Sequence, residues 1–380
     1  INSSIWTFRF TRPTINTILS NNNRHSNFVF TFAKVHSISL SYKLMSLRQK
    51  KIQSLIKLGD LFSNFNKNKS ISTLQNKSEI NNGWFTKWNV ETALLAWGNS
   101  LNKEDVNLWL EGYTTIKNTK KVGLISAGNI PFVGLHDILS VWFSGHKAIV
   151  KLSSKDLYFL PHIVSFLESE CPETTGQIVF SEKLEKFDAV IATGSDNSAR
   201  YFDYYFKGIP NIIRKNRNGV AILDGGETQD QIESLGYDIL AHYGLGCRNV
   251  SKLFIPKGYD LNLIFGGLYN YSNVMESFKY VNNYDYNKAV FLMSEFDFLD
   301  NGFFMLKNDS KFSSPLATAF YSEYDSIKAL NATLKENIEK IQCVVSNQII
   351  KNSISFGETQ NPKLFEYADG INTLEFLNNL

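Results

Sequence analysis

Short apolar runs alternate with longer amphipathic runs from residue 121 to residue 195. The short runs have the length of buried strands, and the longer runs carry apolar residues at helical spacing. Strands that alternate with helices favour right-handed crossovers and a parallel sheet covered by helices on both faces. The pattern therefore predicts an α/β architecture of the nucleotide-binding kind. In chain order, the segments are KVGLIS, LHDILSVWFSGH, KAIVKLS, SSKDLYFLPHIVSFLESE, QIVFS and FDAVIATGS.

The alternation continues beyond Gly194, and a mostly helical region from Met45 to about Lys117 precedes it. In the helix predicted from Ser153 onwards, Ser153 and Asp156 stand in the order of a capping box. A domain boundary is predicted near Asn218. Further helices are predicted at NSARYFDYYFKG, ETQDQIESLGYDILAHYG, LNLIFGGLYN and DSIKALNATLKENIEKI, and extended segments at NIIRKNRNGVAILDGGE, KLFIP, AVFLM, TAFYSEY and QCVVS.

Composition and charge narrow the class of partner. The 380 residues are 43% hydrophobic and 14% aromatic, which is sufficient for a packed core. The 39 basic residues nearly balance the 36 acidic ones, so the net charge is too small to favour binding to nucleic acid or to an anionic membrane. A small molecule is therefore the expected partner. No apolar run reaches the roughly 20 residues of a membrane-spanning helix. Three widely separated cysteines do not suggest a disulfide framework, which favours a cytoplasmic location.

The first 44 residues differ in composition from the rest of the chain. They contain no Asp or Glu and are rich in Ser, Asn, Thr and Arg. A transit peptide has this kind of composition. Because an amphipathic helical pattern begins at Met45, we favour the interpretation that residues 1–44 are an unstructured or upstream extension, and we leave them out of the fold prediction.

Cys247 is the candidate nucleophile. An isolated cysteine is usually a buried, inert side chain, and Cys171 and Cys343 fit that description. Cys247 instead lies in the segment GLGCRN, between a predicted helix and a predicted strand. Gly244 and Gly246 remove side-chain bulk beside it, so a substrate can approach the backbone. His242 is near in sequence, but no Asn or Asp partner suggests a Cys-His hydrolase, and the histidines show no metal-ligand spacing.

Polar residues at predicted strand ends are the candidate binding groups. Thr193, Gly194 and Ser195 end one strand and begin a helix, where free N–H groups suit a phosphate, although such a turn is more often only a helix cap. Lys151 ends another strand and fits either a ligand contact or a solvated lysine. Asn129 follows a third strand and is either a turn residue or a donor to an oxyanion.

Five segments together resemble the aldehyde dehydrogenase superfamily, and within it the acyl-CoA reductases of the LuxC fatty-acid reductase type. They occur in the order of the family and lie between residues 121 and 380. The resemblance implies a Rossmann-type parallel-sheet cofactor domain at 45–217, an α/β catalytic domain at 218–345, and a segment at 346–380 that packs back or oligomerises. The segments are SAGNIPFVGLHD, AIVKLSSKD, ATGSDNSARYF, GLGCRNVSKLFIP and FGETQNPKLFEYADGINTLEFL.

The resemblance implies catalytic roles for two residues. Cys247 matches the nucleophile that takes the acyl group as a thioester. Asn129 matches the residue whose side-chain amide, with the backbone N–H of the nucleophile, forms the oxyanion hole. The implied reaction reduces a long-chain fatty acyl-CoA to a fatty aldehyde.

The resemblance also implies a nicotinamide cofactor, NADPH in the first instance and NADH as the alternative. Lys151 matches the lysine that contacts the adenosine ribose, with Ser153 beside it. Thr193, Gly194 and Ser195 match the turn beneath the pyrophosphate. Members of the superfamily form dimers or tetramers, so a homo-oligomer is expected, and an acyl-activating or acyl-transfer protein is a further candidate partner.

One departure from the family pattern bears on the reaction. Aldehyde dehydrogenases that oxidise aldehydes carry a glutamate, in a Glu-Leu-Gly-Gly motif, that activates the hydrolytic water. Its place here falls on Ile212 or Ile213 in NIIRKNRNG. Without that base an acyl-enzyme resists water, which favours thioester reduction over aldehyde oxidation.

Two alternatives stay open at the level of the sequence. The first is a reductase of another acyl donor, such as an acyl phosphate, which uses the same cysteine and also lacks the glutamate. The second is a cysteine acyltransferase or thioesterase that uses the thiol without a nicotinamide. Stabilisation by the cofactor distinguishes the second from a reductase.

Overall fold

The first of two sheets lies in the middle of the chain. The computed structural model describes residues 45–113, 116 and 118–380. The five strands of this sheet are parallel and stand in the order β3-β2-β1-β4-β5. They are apolar runs with mostly buried side chains, as a parallel sheet covered on both faces requires. Their bounds are β1 Lys121–Ile125, β2 Lys147–Lys151, β3 Ile178–Phe180, β4 Ala189–Thr193 and β5 Asn211–Arg214.

Within the residues that the structure describes, seven helices precede, connect or follow these strands. Four lie before β1, and one hydrophobic core joins their buried side chains to those of the sheet and its connecting helices. Leu55, Phe62, Val122 and Trp142 belong to this core. The helices are α1 Leu47–Ser63, α2 Lys69–Asn81, α3 Lys87–Ser100, α4 Lys103–Trp109, α5 Leu135–Ser144, α6 Phe159–Glu170 and α7 Asp196–Phe206.

The second sheet follows from Asn218 and has six strands in the order β11-β6-β7-β10-β9-β8. All neighbours are parallel except β8 and β9, which are antiparallel. Its strands are β6 Asn218–Ile222, β7 Val250–Pro256, β8 Leu299–Asp300, β9 Met305–Asn308, β10 Thr318–Tyr324 and β11 Ile341–Ser346. Its helices are α8 Gln229–Leu240, α9 Asn262–Leu268, α10 Phe278–Met293 and α11 Ile327–Glu336, and α12 Thr373–Asn378 packs back against α5.

These two sheets confirm the predicted α/β fold class with a Rossmann-like parallel sheet. Both sheets belong to one compact unit, Leu47–Leu380. The assignment of 45–217, 218–345 and 346–380 to separate roles stays a prediction, and the interpretation of residues 1–44 lies outside the described residues. None of the helices in the described part of the chain combines the length and apolar character that crossing a membrane requires.

The strand predicted at AVFLM is wrong, because these residues form the last turns of α10. The buried residues of α10 are Tyr280, Tyr284 and Phe291, which lie on one face at helical spacing. Leu292 and Met293 are exposed at 60% and 86%, so the apolar run is not a buried strand. The sequence prediction instead missed β8 and β9, which follow α10.

The predicted capping box at Ser153 is also wrong. Helix α6 begins at Phe159, and Ser153 instead starts a turn in which the Asp156 N–H donates to the Ser153 carbonyl at 3.0 Å. The Asp156 carboxylate is buried and accepts the Phe132 N–H at 3.2 Å, so it does not cap the helix. Burial raises the pKa of Asp156 to about 6, and the bond from Phe132 offsets part of that shift.

Lys51 is a buried cation that closes the carboxyl end of α5. Its Nζ donates to the carbonyl of Trp142 at 2.5 Å and to that of Phe143 at 3.4 Å, and only 1% of the residue is exposed. The last carbonyls of a helix lack partners within the helix, so a lysine there satisfies them. Burial lowers the pKa of Lys51 to about 8.

This shift predicts a pH dependence of folding. The unfolded chain binds the Lys51 proton more tightly than the folded chain, so the contribution of Lys51 to the free energy of unfolding rises with pH between about 8 and 10.5. The rise is expected to approach about 3 kcal/mol, and Lys51→Met is expected to remove it. Urea unfolding at several pH values measures this, with Lys57→Met on the exposed face of α1 as control. Identical pH slopes for wild type and Lys51→Met would contradict the assignment.

Candidate active site

Cys247 lies in a tightly held loop between α8 and β7. Asn249, which is buried, holds this loop through its side chain. Its Oδ1 accepts the Gly246 N–H at 2.8 Å, and its Nδ2 donates to the carbonyls of Ala241 at 2.8 Å and Asp238 at 3.1 Å. A Cβ atom at Gly246 would lie 2.8 Å from Asn249 Oδ1, so glycine is needed for this approach. The loop leaves Cys247 exposed, whereas Cys171 and Cys343 are buried.

The C-terminal tail fixes the same loop from the other side. The Asp238 carboxylate accepts the N–H groups of Gly357 at 2.7 Å and Thr359 at 3.0 Å. The Thr359 carbonyl in turn accepts a hydrogen bond from Nε of Arg248, the residue after Cys247. Burial raises the pKa of Asp238 to about 6, although the two N–H bonds oppose the shift. The tail segment and the cysteine segment, far apart in sequence, therefore meet at one place.

Asn129 also reaches the cysteine loop. Its Nδ2 donates to the carbonyl of Leu245, two residues before Cys247, at 2.6 Å. A side-chain amide has two N–H donors, so one remains for a second acceptor. The structure thus brings together the segments of Asn129 and Cys247, which are 118 positions apart in the sequence.

Cys247 opens onto a cleft between α3, the turn after β1 and the C-terminal tail. Ala93, Ala96 and Trp97 of α3 give one wall an apolar surface. The remaining lining residues are Ser100, Ile130, Pro131, Phe132, Val133, His136, Asp137, Arg214, His242, Gly246, Arg248, Gln342, Gln360, Pro362, Lys363, Leu364, Glu366 and Ala368. A largely apolar cleft with a few polar groups is suited to an acyl chain with a reactive polar end.

A buried ion pair stands in this cleft, and the sequence analysis missed it. Arg214 ends β5, and its two Nη atoms contact the Asp137 carboxylate at 2.6 Å and 2.9 Å. Arg214 is 5% exposed and Asp137 7% exposed. Burial alone would lower the pKa of Arg214, but the charge and hydrogen bonds of Asp137 raise it above its ordinary value. The available signal was an arginine at the end of an apolar strand, a position comparable to that of Lys151.

The surroundings of Cys247 disfavour the thiolate. Although the residue is exposed at the surface of its loop, the protein around the sulfur raises the pKa of the thiol, and Asp369 raises it further. Arg248 and Arg214 lower the pKa of Cys247 in part. The nearby cations therefore do not produce a resting thiolate, and deprotonation has to accompany the attack on a substrate.

A second cleft lies on the opposite side of the cysteine loop, and Gly246 lines both clefts. Its lining is more polar and includes Asn216, Asn249 and the loop 313–318. The N–H of Asn216 donates to Asp196 Oδ1 at 3.0 Å, which places this cleft beside the start of α7. Two ligands can therefore approach the Cys247 loop from opposite sides. The sequence analysis did not single out the loop 313–318.

The predicted cofactor residues lie at the carboxyl edge of the first sheet. Lys151 ends β2 and is exposed, and Ser153 follows it. Thr193 ends β4, and Ser195 caps α7 by accepting the Ser198 N–H at 3.3 Å. Strand β1 lies between β2 and β4, so the two groups flank it on either side. The order of strands reverses at β1 and β4, and such a switch point is where open parallel sheets bind ligands.

Close packing of the protein at this edge requires glycine at two positions. A Cβ atom at Gly194 would lie 2.8 Å from Ser198 Cβ, and one at Gly128 would lie 2.4 Å from Ser153 Oγ. With the free N–H groups at the start of α7, this backbone fits the pyrophosphate of a dinucleotide. The groups that fit this cofactor are Lys151, Ser153 and the turn 193–195.

Solved structures of aldehyde dehydrogenases share this architecture. An aldehyde dehydrogenase of Bacillus cereus in complex with NAD+ matches with a TM-score of 0.56 and 12% identity over 82% of this chain and 74% of its own. The aldehyde dehydrogenase KauB of Pseudomonas aeruginosa matches with a TM-score of 0.57 and 12% identity over 85% of this chain and 76% of its own. The indole-3-acetaldehyde dehydrogenase AldA of Pseudomonas syringae matches with a TM-score of 0.58 and 11% identity over 82% and 74%.

No family model matches the sequence, and no curated protein matches it by sequence. The structural likeness establishes the fold, which is that of the aldehyde dehydrogenases. The predicted fold class is thereby confirmed, and membership of the superfamily stays a prediction. The narrower resemblance to acyl-CoA reductases stays a prediction.

Proposed function

We propose that this protein reduces a long-chain fatty acyl-CoA to a fatty aldehyde with NADPH, through an acyl group carried on Cys247. The position of Cys247 is the observation that carries the proposal. Cys247 lines an apolar cleft, and its neighbour Gly246 lines both that cleft and a polar cleft, which adjoins the carboxyl edge of the first sheet. An acyl chain fits the first cleft and a nicotinamide cofactor the second.

The carboxylates of the apolar cleft bear on the choice between reduction and hydrolysis. Among the described residues that line it, these carboxylates belong to Asp137 and Glu366. Both oxygens of Asp137 accept hydrogen bonds from Arg214. Glu366 accepts the Lys363 N–H at 3.1 Å and lies 3.8 Å from Arg248 Nη2. Asp137 is therefore not free to activate a water, which supports an acyl-enzyme that resists hydrolysis, whereas the Glu366 side chain is 46% exposed and is held through Oε2 alone.

In the proposed mechanism the sulfur of Cys247 attacks the thioester carbonyl, and an N–H of Asn129 stabilises the oxyanion. Coenzyme A leaves as its thiol, and the acyl group remains on Cys247 as a new thioester. Lys151, Ser153 and the turn 193–195 would hold a nicotinamide cofactor, which supplies a hydride when bound. The apolar cleft keeps water from the acyl group until the aldehyde is released and the thiol regenerated.

The test of this proposal is the oxidation of NADPH in the presence of palmitoyl-CoA, with the product identified by mass spectrometry. Fatty aldehyde formed in equal amount to the NADPH consumed is the expected result. Free fatty acid formed without consumption of NADPH would identify a thioesterase instead. Aldehyde formed from an acyl phosphate but not from the CoA ester would assign a different acyl donor.

The cofactor assignment predicts that the lysines at the two ends of β2 contribute differently to NADPH binding. Lys151→Ala is expected to weaken binding of NADPH about tenfold, or by about 1.4 kcal/mol, because it removes a cation at the carboxyl edge. Lys147→Ala, which removes the exposed lysine at the other end of the same strand, is expected to leave binding unchanged. Fluorescence titration of NADPH measures both. Equal effects of the two substitutions would argue against a site at the carboxyl edge.

A further inference from the structure

His242 is a buried histidine whose ring has no hydrogen-bond partner among the described residues. It is 4% exposed, its Nδ1 is buried and unpartnered, and it lines the cleft that contains Cys247. By contrast, the rings of His136 and His146 near the first sheet are hydrogen-bonded. His136 Nε2 contacts the Leu364 carbonyl at 2.8 Å, and His146 contacts both the Lys120 N–H and the Leu377 carbonyl. A buried imidazole nitrogen without a hydrogen bond is unusual and suggests that a ligand or a reacting group binds nearby.

The backbone holds His242 in an unfavourable conformation. His242 and Tyr243 have φ angles of 51° and 57°, and Gly244 follows with 77°. Side chains with a Cβ atom rarely adopt this left-handed region, and such residues cluster at functional sites. The turn closes with the Leu245 N–H donating to the His242 carbonyl at 3.1 Å. It thereby places His242 and Cys247, five residues apart, in the wall of one cleft.

We propose that the imidazole of His242 accepts the proton of the Cys247 thiol as its sulfur attacks the substrate, and returns that proton to the leaving group. This inference rests on the proposed role of Cys247 as the nucleophile. It assigns His242 to the place that a carboxylate base would take, since both oxygens of the buried Asp137 are bound to Arg214. The residue was noted in the sequence only for its nearness to Cys247.

Every proton in the proposed step is accounted for. The S–H bond of Cys247 breaks as the S–C bond to the acyl carbon forms, and the proton moves to the ring nitrogen of His242. When the C–S bond to coenzyme A breaks, the imidazolium gives the proton to the departing sulfur, which leaves as a thiol. His242 is then neutral again. After the aldehyde has left, the Cys247 thiolate takes a proton from solvent, which is the proton that the reduction consumes.

Burial disfavours the charged form of both groups. Burial lowers the pKa of His242 to about 4. The pKa of Cys247 is raised by burial and by Asp369, against the opposing effects of Arg248 and Arg214. The other charged groups that line the cleft are Asp137, Lys363 and Glu366. A thiolate–imidazolium pair differs from the neutral pair only in where one proton lies. Its population is therefore independent of pH between the two pKa values.

This independence gives a test that needs neither acyl-CoA nor NADPH. The rate at which iodoacetamide alkylates Cys247, followed by peptide mass spectrometry, is measured from pH 5.5 to pH 9. Proton transfer to neutral His242 during the attack adds a contribution to the rate that does not depend on pH, so the wild-type rate is expected to level off at the low end of this range. His242→Asn is expected to lose about tenfold in rate for each pH unit below the pKa of the thiol, because only free thiolate then reacts. Asn tolerates the left-handed backbone, and His162→Asn on α6 is the matched control.

The wild-type profile alone can overturn the proposal. A wild-type rate that rises about tenfold per pH unit throughout this range would show that no base assists the thiol. If the alkylation rates of wild type and His242→Asn depend on pH in the same way, His242 does not take the thiol proton and serves only in packing. The outcome is independent of the proposed substrate. If alkylation depends on His242 but palmitoyl-CoA is not reduced, the proposed function fails while the assignment of His242 stands.

Discussion

Replacement of Cys247 by alanine is expected to lower the rate of acyl-CoA reduction by at least about a thousandfold, because it removes the sulfur that carries the acyl group in the proposed mechanism. Cys247 is exposed in its loop, so the loss of one sulfur atom is expected to change the free energy of unfolding by less than about 0.5 kcal/mol. The variant should also keep its affinity for NADPH, since the proposed cofactor residues are on other segments. Steady-state kinetics, urea unfolding and NADPH titration measure the three quantities.

Cys171→Ala is the matched control for this prediction. Cys171 is buried, and burial together with Glu173 raises the pKa of its thiol to about 11, so it is not expected to react. Its removal should reduce stability through a small cavity and leave turnover per folded molecule unchanged. Reduction of acyl-CoA by Cys247→Ala at the wild-type rate would remove the thiol from the mechanism.

Removal of Asp137 is expected to have the largest effect on stability. Asp137→Leu would leave Arg214 buried and unpaired, with Thr373 Oγ1 at 3.0 Å as its remaining hydrogen-bond partner. Breaking a buried ion pair from one side typically costs about 3 to 5 kcal/mol, because the remaining charge is neither hydrated nor compensated. Urea denaturation at neutral pH measures the free energy of unfolding, and Asp137→Leu is expected to lower it by about 3 to 5 kcal/mol.

The double variant Asp137→Leu/Arg214→Met separates the ion pair from simple loss of packing. If the cost of Asp137→Leu arises from an unpaired charge, removal of that charge should restore part of the stability. Glu91→Gln, in the exposed pair with Lys87 at 3.8 Å, is expected to change stability by less than about 1 kcal/mol. A double variant that is less stable than the sum of its single variants would contradict this account.

The fold was largely predictable because its strands are short and apolar and its helices amphipathic. Strands β1, β2 and β4 lie within the predicted segments, and each is followed by a helix of the predicted period. The failures came where one run of apolar residues fits two structures. AVFLM has strand composition, but its position at the end of α10 is decided by Tyr280 and Tyr284, which pack one and two turns after the helix starts.

The parts of the site that depend on local sequence were also predictable. Glycines beside Cys247 indicated an accessible thiol, and the positions of Lys151, Thr193 and Ser195 at strand ends indicated one edge of a sheet. Their roles as binding groups remain predictions that the Lys151 experiment begins to test. Ser153 illustrates the limit, since its capping-box spacing is genuine but the Asp156 side chain turns inward to Phe132.

Contacts across long distances in the sequence could not be predicted from one chain. Arg214 and Asp137 are 77 positions apart, and Asp238 and Thr359 are 121 positions apart. Nothing in the local pattern of either partner specifies the other. Asn249 is a similar case, because an asparagine after a loop gives no sign that its side chain will bind three backbone groups. These contacts give the cysteine loop its shape, and the three-dimensional structure was needed to find them.

The most direct test of the central claim is to trap the acyl group. Wild type and Cys247→Ala are mixed with radiolabelled palmitoyl-CoA without nicotinamide, denatured, and assayed for bound label. Our account predicts label on wild type alone, located on the peptide that contains Cys247, and its complete transfer to fatty aldehyde when NADPH is added before denaturation. Label that is released only as free acid, or that binds Cys247→Ala equally well, would contradict it.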